Sequence, residues 1–337
     1  MNIIIPMAGR GSRLRPHTLS TAKPLLPIAG KPIVQRLVED VFKTIGKKLD
    51  KIVFIIGDLD TETEEMLLNV AHGVGAKGVI CYQKKPLGTA HAILCAKEYL
   101  TGPVTVAFAD TLFRAKFKFD EAADAVIWVK KVEDPSAFGV VNLDDSGKIV
   151  DFFEKPIKFI SDLAIIGIYY FKDGEQLKNK LQYLIENNIK SGKEFQITDA
   201  LEKMKKDGLL MIPGEVDSWM DCGNKDVLVK TNASILELVK DEENLISSDV
   251  KLLDAKIIPP CYIGRGVKIE NSVVGPNVSI EAETTLYNCK IRDSIIREKS
   301  ELFNLNIHNS MIGQNAFVDG KYHSLNIGDF SRLESGV

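Results

Sequence analysis

Two glycines one residue apart, Gly9 and Gly11, open an arginine-rich segment that reads GRGSRLRPHT over residues 9–18, and KPLLP follows over 23–27. Glycine lets the main chain approach a polyphosphate closely and turn its N–H groups inward, and Arg13 and Lys23 add fixed positive charge. The segment reads as a phosphate cradle. Two better-known cradles are excluded by spacing: there is no G-x-x-x-x-G-K-[ST], and the glycine pair lacks the third glycine of a dinucleotide-binding fingerprint. A glycine turn carrying solvated arginines is the plain alternative. His17, His91, His308 and His323 show no ligand spacing, so core or surface roles suit them better than metal binding.

Such a loop needs a buried strand to deliver it. Residues 2–6 (NIIIP) form a short apolar run that ends at the loop. Over 32–45 the apolar residues Ile33, Val34, Leu37, Val38, Val41, Phe42 and Ile45 keep a helical rhythm, with Pro32 at the start and Gly46 at the stop. A strand at 51–57, a helix near 63–71, a strand VICY, a helix at 89–100 and a strand VTVAFAD ending at Asp110 continue the alternation. This pattern predicts an α/β doubly wound mixed sheet, Rossmann-like, with its site at the carboxyl ends of the strands. Beyond Asp124 strands dominate, then helices at about 175–189, 197–206 and 225–238. The charged stretch 240–244 reads as a linker.

From about residue 250 short aliphatic residues recur roughly six apart, among them Ile263, Ile269, Val274, Ile280, Leu286, Ile291, Ile296, Ile312 and Val318. One aliphatic per short flat strand predicts a short left-handed parallel β-helix of hexapeptide repeats. The expected domains are therefore 1–240, catalytic, and 241–337, β-helix.

The chain has 337 residues, a net charge of −3 and 26% charged residues. It lacks the basic excess that a nucleic-acid partner calls for. Five scattered cysteines without a C-x-x-C indicate neither a disulfide framework nor a zinc site, and fit a reducing cytoplasm. The apolar start is too short for a signal peptide or a membrane span.

The loop resembles the signature of the sugar-nucleotide pyrophosphorylases, the nucleoside-diphospho-sugar nucleotidyltransferases: G-x-G-[ST]-R-L-x-P-x-T followed by K-P-x-x-P is matched without a gap. Further motifs extend the resemblance to about Asp226, and the hexapeptide region resembles the tail of the family's longer members, including thymidylyltransferases acting on glucose 1-phosphate. The resemblance implies attack of a sugar 1-phosphate oxygen on the α-phosphorus of a nucleoside triphosphate, with release of pyrophosphate and formation of a nucleotide sugar for polysaccharide biosynthesis. Such a reaction needs charge neutralisation and alignment rather than a covalent nucleophile. Arg13 would grip the triphosphate and Lys23 would neutralise charge near the α-phosphorus, with Ala8, Gly9, Gly11 and Ser12 forming the cradle. Asp110 and Asp221 match positions whose carboxylates hold Mg²⁺. Taken alone, Asp110 reads equally as a cap and Asp221 as a turn residue.

Gln83, Gly88 and Thr89 match the base-reading segment, where a glutamine amide suits the O4 and N3–H edge of uracil or thymine. Gly88-Thr89-Ala90 departs from the Gly-Leu-Ala common in thymidylyltransferases. On the sugar side Gly139, Glu154, Lys155 and Gly167 would make room for the hexose and hold its hydroxyls and phosphate. Gln196 stands where the family usually has glutamate. Glucose 1-phosphate with dTTP or UTP is the expected pair, with mannose 1-phosphate and GTP as the variant. Retention of Arg13, Lys23, Asp110 and Asp221 disfavours a non-catalytic regulatory or scaffold homologue, and acyl transfer by the short β-helix is less expected than an oligomerising role. The expected protein is a cytoplasmic homo-oligomer.

Overall fold

The computed structural model describes residues 1–9, 11–46, 49–115 and 122–334, so Arg10 of the loop motif lies outside the described residues. By internal contacts the chain divides into two compact units, one of residues 1–9 and 34–220, the other of residues 10–33 and 221–337.

The first unit is built on a nine-stranded mixed sheet. Its strands are β1 (Asn2–Pro6), β2 (Lys51–Ile56), β3 (Lys77–Tyr82), β4 (Val104–Ala107), β5 (Ala125–Lys131), β6 (Gly139–Leu143), β7 (Ile149–Glu154), β8 (Leu163–Phe171) and β9 (Met211–Glu215). They run in the order β7-β6-β8-β4-β1-β2-β3, with β5 also paired to β8 and β9 to β5. The pairs of β1 with β2 and β4, and of β2 with β3, are parallel; β8 is antiparallel to β4, β5 and β6. Parallel strands need covering on both faces, hence their continuous apolar sequences. Ile4, Val53, Ile55, Val104 and Val106 lie in one cluster with α3 (Thr89–Leu94), α4 (Gly174–Glu186) and α5 (Ile197–Lys206). The alternate residues Ile3, Ile5, Ile52, Phe54 and Ile56 are equally buried. Two more helices, α1 (Ile33–Ile45) and α2 (Thr61–Gly73), follow β1 and β2 in the chain, as the alternating pattern requires. The helix expected over 89–100 is α-helical only to Leu94, and a 3₁₀ turn, Lys97–Tyr99, completes it.

The second unit contains the β-helix, the helix α6 (Lys225–Val239) and the loop segment 11–33. This grouping differs from a division at residue 240, because α6 buries Leu228, Val229, Ile235 and Leu236, and Asn232 within it accepts from both Ala29 N (2.9 Å) and Ser279 Oγ (2.7 Å). In the coils Leu252, Ile269, Leu286, Leu302, Val318 and Leu333 stand in parallel register, a spacing that shortens from 17 to 15 residues along the chain. That shortening explains why the hexapeptide rhythm looks imperfect in sequence. Corners are turned by residues at positive φ, mostly asparagine or aspartate: Asp254, Asn271, Asn288 and Asn304 form one column, and Asn277, Asp293 and Asn309 another. Short side chains of this kind tolerate the left-handed region and bond to the next coil, as Asn288 does to Asn304 at 2.7 Å.

Glu281 is the misfit of this unit. One carboxylate oxygen is buried without a hydrogen bond, and burial pushes its pKa up to about 7 against the pull of Arg297. A carboxyl whose folded pKa lies above its unfolded value costs stability as pH rises from the unfolded value of 4.5 through about 7, and the full cost persists above that. The substitution Glu281→Gln is therefore expected to raise stability by roughly 1–3 kcal/mol at pH 8 and to change little at pH 4.5. Thermal melts at the two pH values check this; a gain independent of pH would contradict it.

Candidate active site

The loop after β1 has no regular ladder to fix it. It runs through a 3₁₀ turn, Ser12–Leu14, and a second, Lys23–Leu25. Leu14 and Leu26 are buried and anchor the two turns, while Ser12 and Arg13 are exposed. Gly11 adopts φ +60°, and a Cβ built on it would lie 2.7 Å from Lys23 Cβ and 3.2 Å from Thr18 Cγ2. Only glycine fits there, both for its left-handed backbone and for the lysine pressed against it. Thr18 Oγ1 donates to Gly11 O at 2.8 Å and closes the loop. Lys23 is only 6% exposed. Gly9, by contrast, faces open space, with no atom within 4 Å of a hypothetical Cβ.

Asp221 belongs to the same unit. Its carbonyl accepts from Thr231 Oγ1 of α6 at 2.7 Å, and a Cβ at Gly223 would fall 2.5 Å from Asp221 Oδ2. Glycine at 223 thus clears the space the carboxylate occupies.

In the first unit Gln83 follows β3, 9% exposed. Its Nε2 donates to Gly88 O (3.1 Å) and to His91 Nδ1 (3.1 Å). Both amide N–H groups are engaged by the protein, so Oε1 remains as the acceptor for a ligand. Burial lowers the His91 pKa and favours the neutral ring that can accept from Gln83. Gly88 has φ +113°, and a Cβ there would lie 2.4 Å from Phe195 O. The absence of a side chain at 88 is thus demanded by the backbone at 195. Thr89 Oγ1 donates to Gln196 Oε1 (2.9 Å) and accepts from Ile197 N (2.9 Å), strapping the start of α3 to the start of α5. Gln196 also donates to Glu194 Oε2 at 3.1 Å. With both ends of its amide engaged, Gln196 keeps one N–H and one lone pair beyond these two bonds.

Asp110 sits on a tight turn after β4. The turn is pinned by Phe108 N to Gly167 O (3.0 Å) and by Thr111 Oγ1 to Ile166 O (2.7 Å), both on β8. Glu154, at the end of β7, accepts from Thr198 Oγ1 at 3.0 Å, and a Cβ on Gly139 would lie 3.3 Å from its Oε2. Lys155 pairs with Glu154 at 3.4 Å and holds the unfavourable φ of +42°. Burial first, then the Glu154 and Asp110 carboxylates, keep the Tyr169 phenol protonated far above its ordinary range. Gln83, Gly88, Thr89 and Gln196 thus form one connected cluster, and Gly139, Glu154 and Lys155 another.

A family model described as Nucleotidyl transferase matches residues 2–237. The chain is 30% identical to the glucose-1-phosphate thymidylyltransferase of Streptomyces antibioticus over 99% of both chains. It is 31% identical to the bifunctional protein GlmU of Methanococcus maripaludis over 82% of this chain and 62% of that one. A candidate glucose-1-phosphate thymidylyltransferase from Bacillus anthracis, solved with a sucrose, superposes with a TM-score of 0.60 at 25% identity, covering 72% of this chain and 96% of that one. The chain belongs to the nucleotidyl transferase family.

It is an enzyme of the nucleotidyl-transfer type, and the family fold implies a divalent cation. Asp110 in the first unit and Asp221 in the second each carry a carboxylate, the hard oxygen donor such a cation takes, and the glycine at 223 leaves the Asp221 carboxylate its room. Among the described residues no group of three or more His, Cys, Asp or Glu could hold a metal. Among the described residues no helix is long and apolar enough to cross a membrane.

Sequence reading did not single out His91, Thr198 or Tyr169 for this nucleotidyl transferase site. Thr198 lies two residues beyond Gln196, and that adjacency was the available signal.

The two loop glycines separate a packing role from a ligand role. Gly11→Ala is expected to lower the melting temperature, to displace Lys23 and to cut turnover by about 100-fold. Gly9→Ala should leave the melting temperature unchanged. Paired melts and rate assays test this, and equal thermal effects would contradict it.

Proposed function

We propose that this enzyme transfers a nucleotidyl group from a nucleoside triphosphate to a sugar 1-phosphate and releases pyrophosphate. The observation that carries the reading is the intact phosphate loop, in which Gly11 seats against a buried Lys23, within a chain whose residues 2–237 match the family. On this reading Lys23 neutralises charge at the α-phosphate, and exposed Arg13 grips the triphosphate and follows the charge onto the departing pyrophosphate. The open space at Gly9, beside Ala8, suits a closely apposed phosphate, and Ser12 adds a hydroxyl donor. Bound Mg²⁺, held by Asp110 and Asp221, would neutralise the phosphates and align them for in-line attack. Glu154 accepts from sugar hydroxyls, Lys155 holds the sugar phosphate, and Gly139 and Gly167 leave space for the ring. Gln196 braces Thr89 and offers its remaining lone pair.

Base choice follows from Gln83. Set opposite the ring nitrogen of a base's pairing edge, an acceptor Oε1 wants an N–H there, which uracil, thymine and guanine carry and which adenine and cytosine, whose amino donors lie outside the ring, lack. We therefore favour dTTP or UTP with glucose 1-phosphate, and keep GTP with mannose 1-phosphate as the variant. On the same reading residues 1–240 carry catalysis, residues 241–337 form the hexapeptide-repeat region, and the protein works in the cytoplasm as a homo-oligomer without nucleic-acid or membrane partners.

The test is pyrophosphate release with Mg²⁺ over dTTP, UTP, GTP and ATP against the 1-phosphates of glucose, mannose, galactose, fucose and N-acetylglucosamine. A signal confined to triphosphates with a ring N–H is expected, lost by 100-fold or more in Lys23→Ala and Asp110→Asn. ATP as the best donor would contradict the role of Gln83, and a dark grid would leave the chain a binding or regulatory homologue.

A further inference from the structure

The segment between the two 3₁₀ turns of the loop, residues 15–22, closes local turns, His17 N to Leu14 O (3.0 Å) and Leu19 N to Pro16 O (3.1 Å), but joins no strand ladder, so its longer-range anchors are made by side chains. Within its own compact unit those anchors come from the last coils of the β-helix. Arg297 and Asp329 form a pair, Nη1 to Oδ1 3.6 Å, with side chains 9% and 5% exposed. Arg297 Nη1 donates to Thr21 Oγ1 at 3.0 Å and its Nη2 to Gln314 Oε1 at 3.2 Å. Asp329 Oδ1 accepts from Gln314 N at 2.9 Å, and Oδ2 accepts from Ser20 Oγ. Two consecutive hydroxyls of the loop thus end on one buried ion pair. Beside them His17 Nε2 meets Asn326 Oδ1 at 2.8 Å, and Pro16 lies so close to Gly328 that a Cβ there would be 2.9 Å from Pro16 Cβ.

A buried ion pair is a poor source of stability, since well-packed apolar residues of the same size often serve as well or better. Its value here lies in direction. Thr21 is two residues before Lys23, whose own position is set by contact with Gly11. A displacement of about 1 Å in a group that aligns phosphate costs on the order of 100-fold in rate. We propose that Arg297 and Asp329 are positioning residues for nucleotidyl transfer: by holding Ser20 and Thr21 they fix the backbone that carries Lys23. The inference rests on the reading of Lys23 as the group that neutralises the α-phosphate.

The experiment compares the full chain with two paired variants. Ser20→Ala/Thr21→Val removes the loop-side hydroxyls and leaves the ion pair whole. Arg297→Met/Asp329→Leu removes the pair without stranding a charge. Each is expected to lower kcat by about tenfold or more, with KM for the sugar 1-phosphate within about twofold and a melting temperature close to that of the parent. Thr21→Ser, which keeps the hydroxyl, should retain parental kcat. The quadruple variant should lose no more than the worse pair, because both changes break the same connection. Parental kcat in the loop pair, or losses that multiply in the quadruple variant, would overturn the inference while leaving the functional reading intact. A parent chain inert across the substrate grid would overturn both.

Discussion

The account depends on one close contact. Gly11 carries no side chain and turns through the left-handed region, and the space so created is filled by Lys23, a buried lysine held with its stem against the glycine backbone. Burying a cation costs desolvation unless it has partners. The rest of the loop serves that contact: Leu14 and Leu26 sink its two turns, and Thr18 ties the glycine carbonyl.

A second theme is the economy with which polar side chains are used. Gln83 gives both N–H groups to the protein and keeps its oxygen, so its orientation is fixed by the protein itself. Thr89 spends its hydroxyl twice, once as donor and once as acceptor, and thereby joins two helix starts. Preorganisation of this kind lowers the entropy lost on binding. It also limits what each group can recognise, and the single open acceptor on Gln83 is a narrower device than a free glutamine.

Much of this was legible in the sequence, and the reasons differ by element. The apolar runs of β1, β2 and β4 and the helical rhythm of α1 follow from burial on both sheet faces, which leaves a strong imprint on residue type. The loop was legible because glycine pairs and fixed cations are rare together. The β-helix was visible through its aliphatic column, though its shortening coils blurred the repeat. What the sequence did not disclose were pairings between distant residues: that Gly88 yields to the backbone at 195, that Gln196 braces Thr89, and that α6 and the loop segment 11–33 group with the coils. Each depends on contacts between residues far apart in the chain, 107 for Thr89 and Gln196 and 47 for Asn232 and Ser279, which no local pattern records.

On the proposed function the α-phosphorus is the centre attacked. This is tested most directly by following label from the triphosphate in the presence of the preferred sugar 1-phosphate. The account predicts that label at the α-phosphorus is recovered in the nucleotide sugar and label at the γ-phosphorus in pyrophosphate. Recovery of the γ-label on the sugar would mean phosphoryl rather than nucleotidyl transfer and would contradict it.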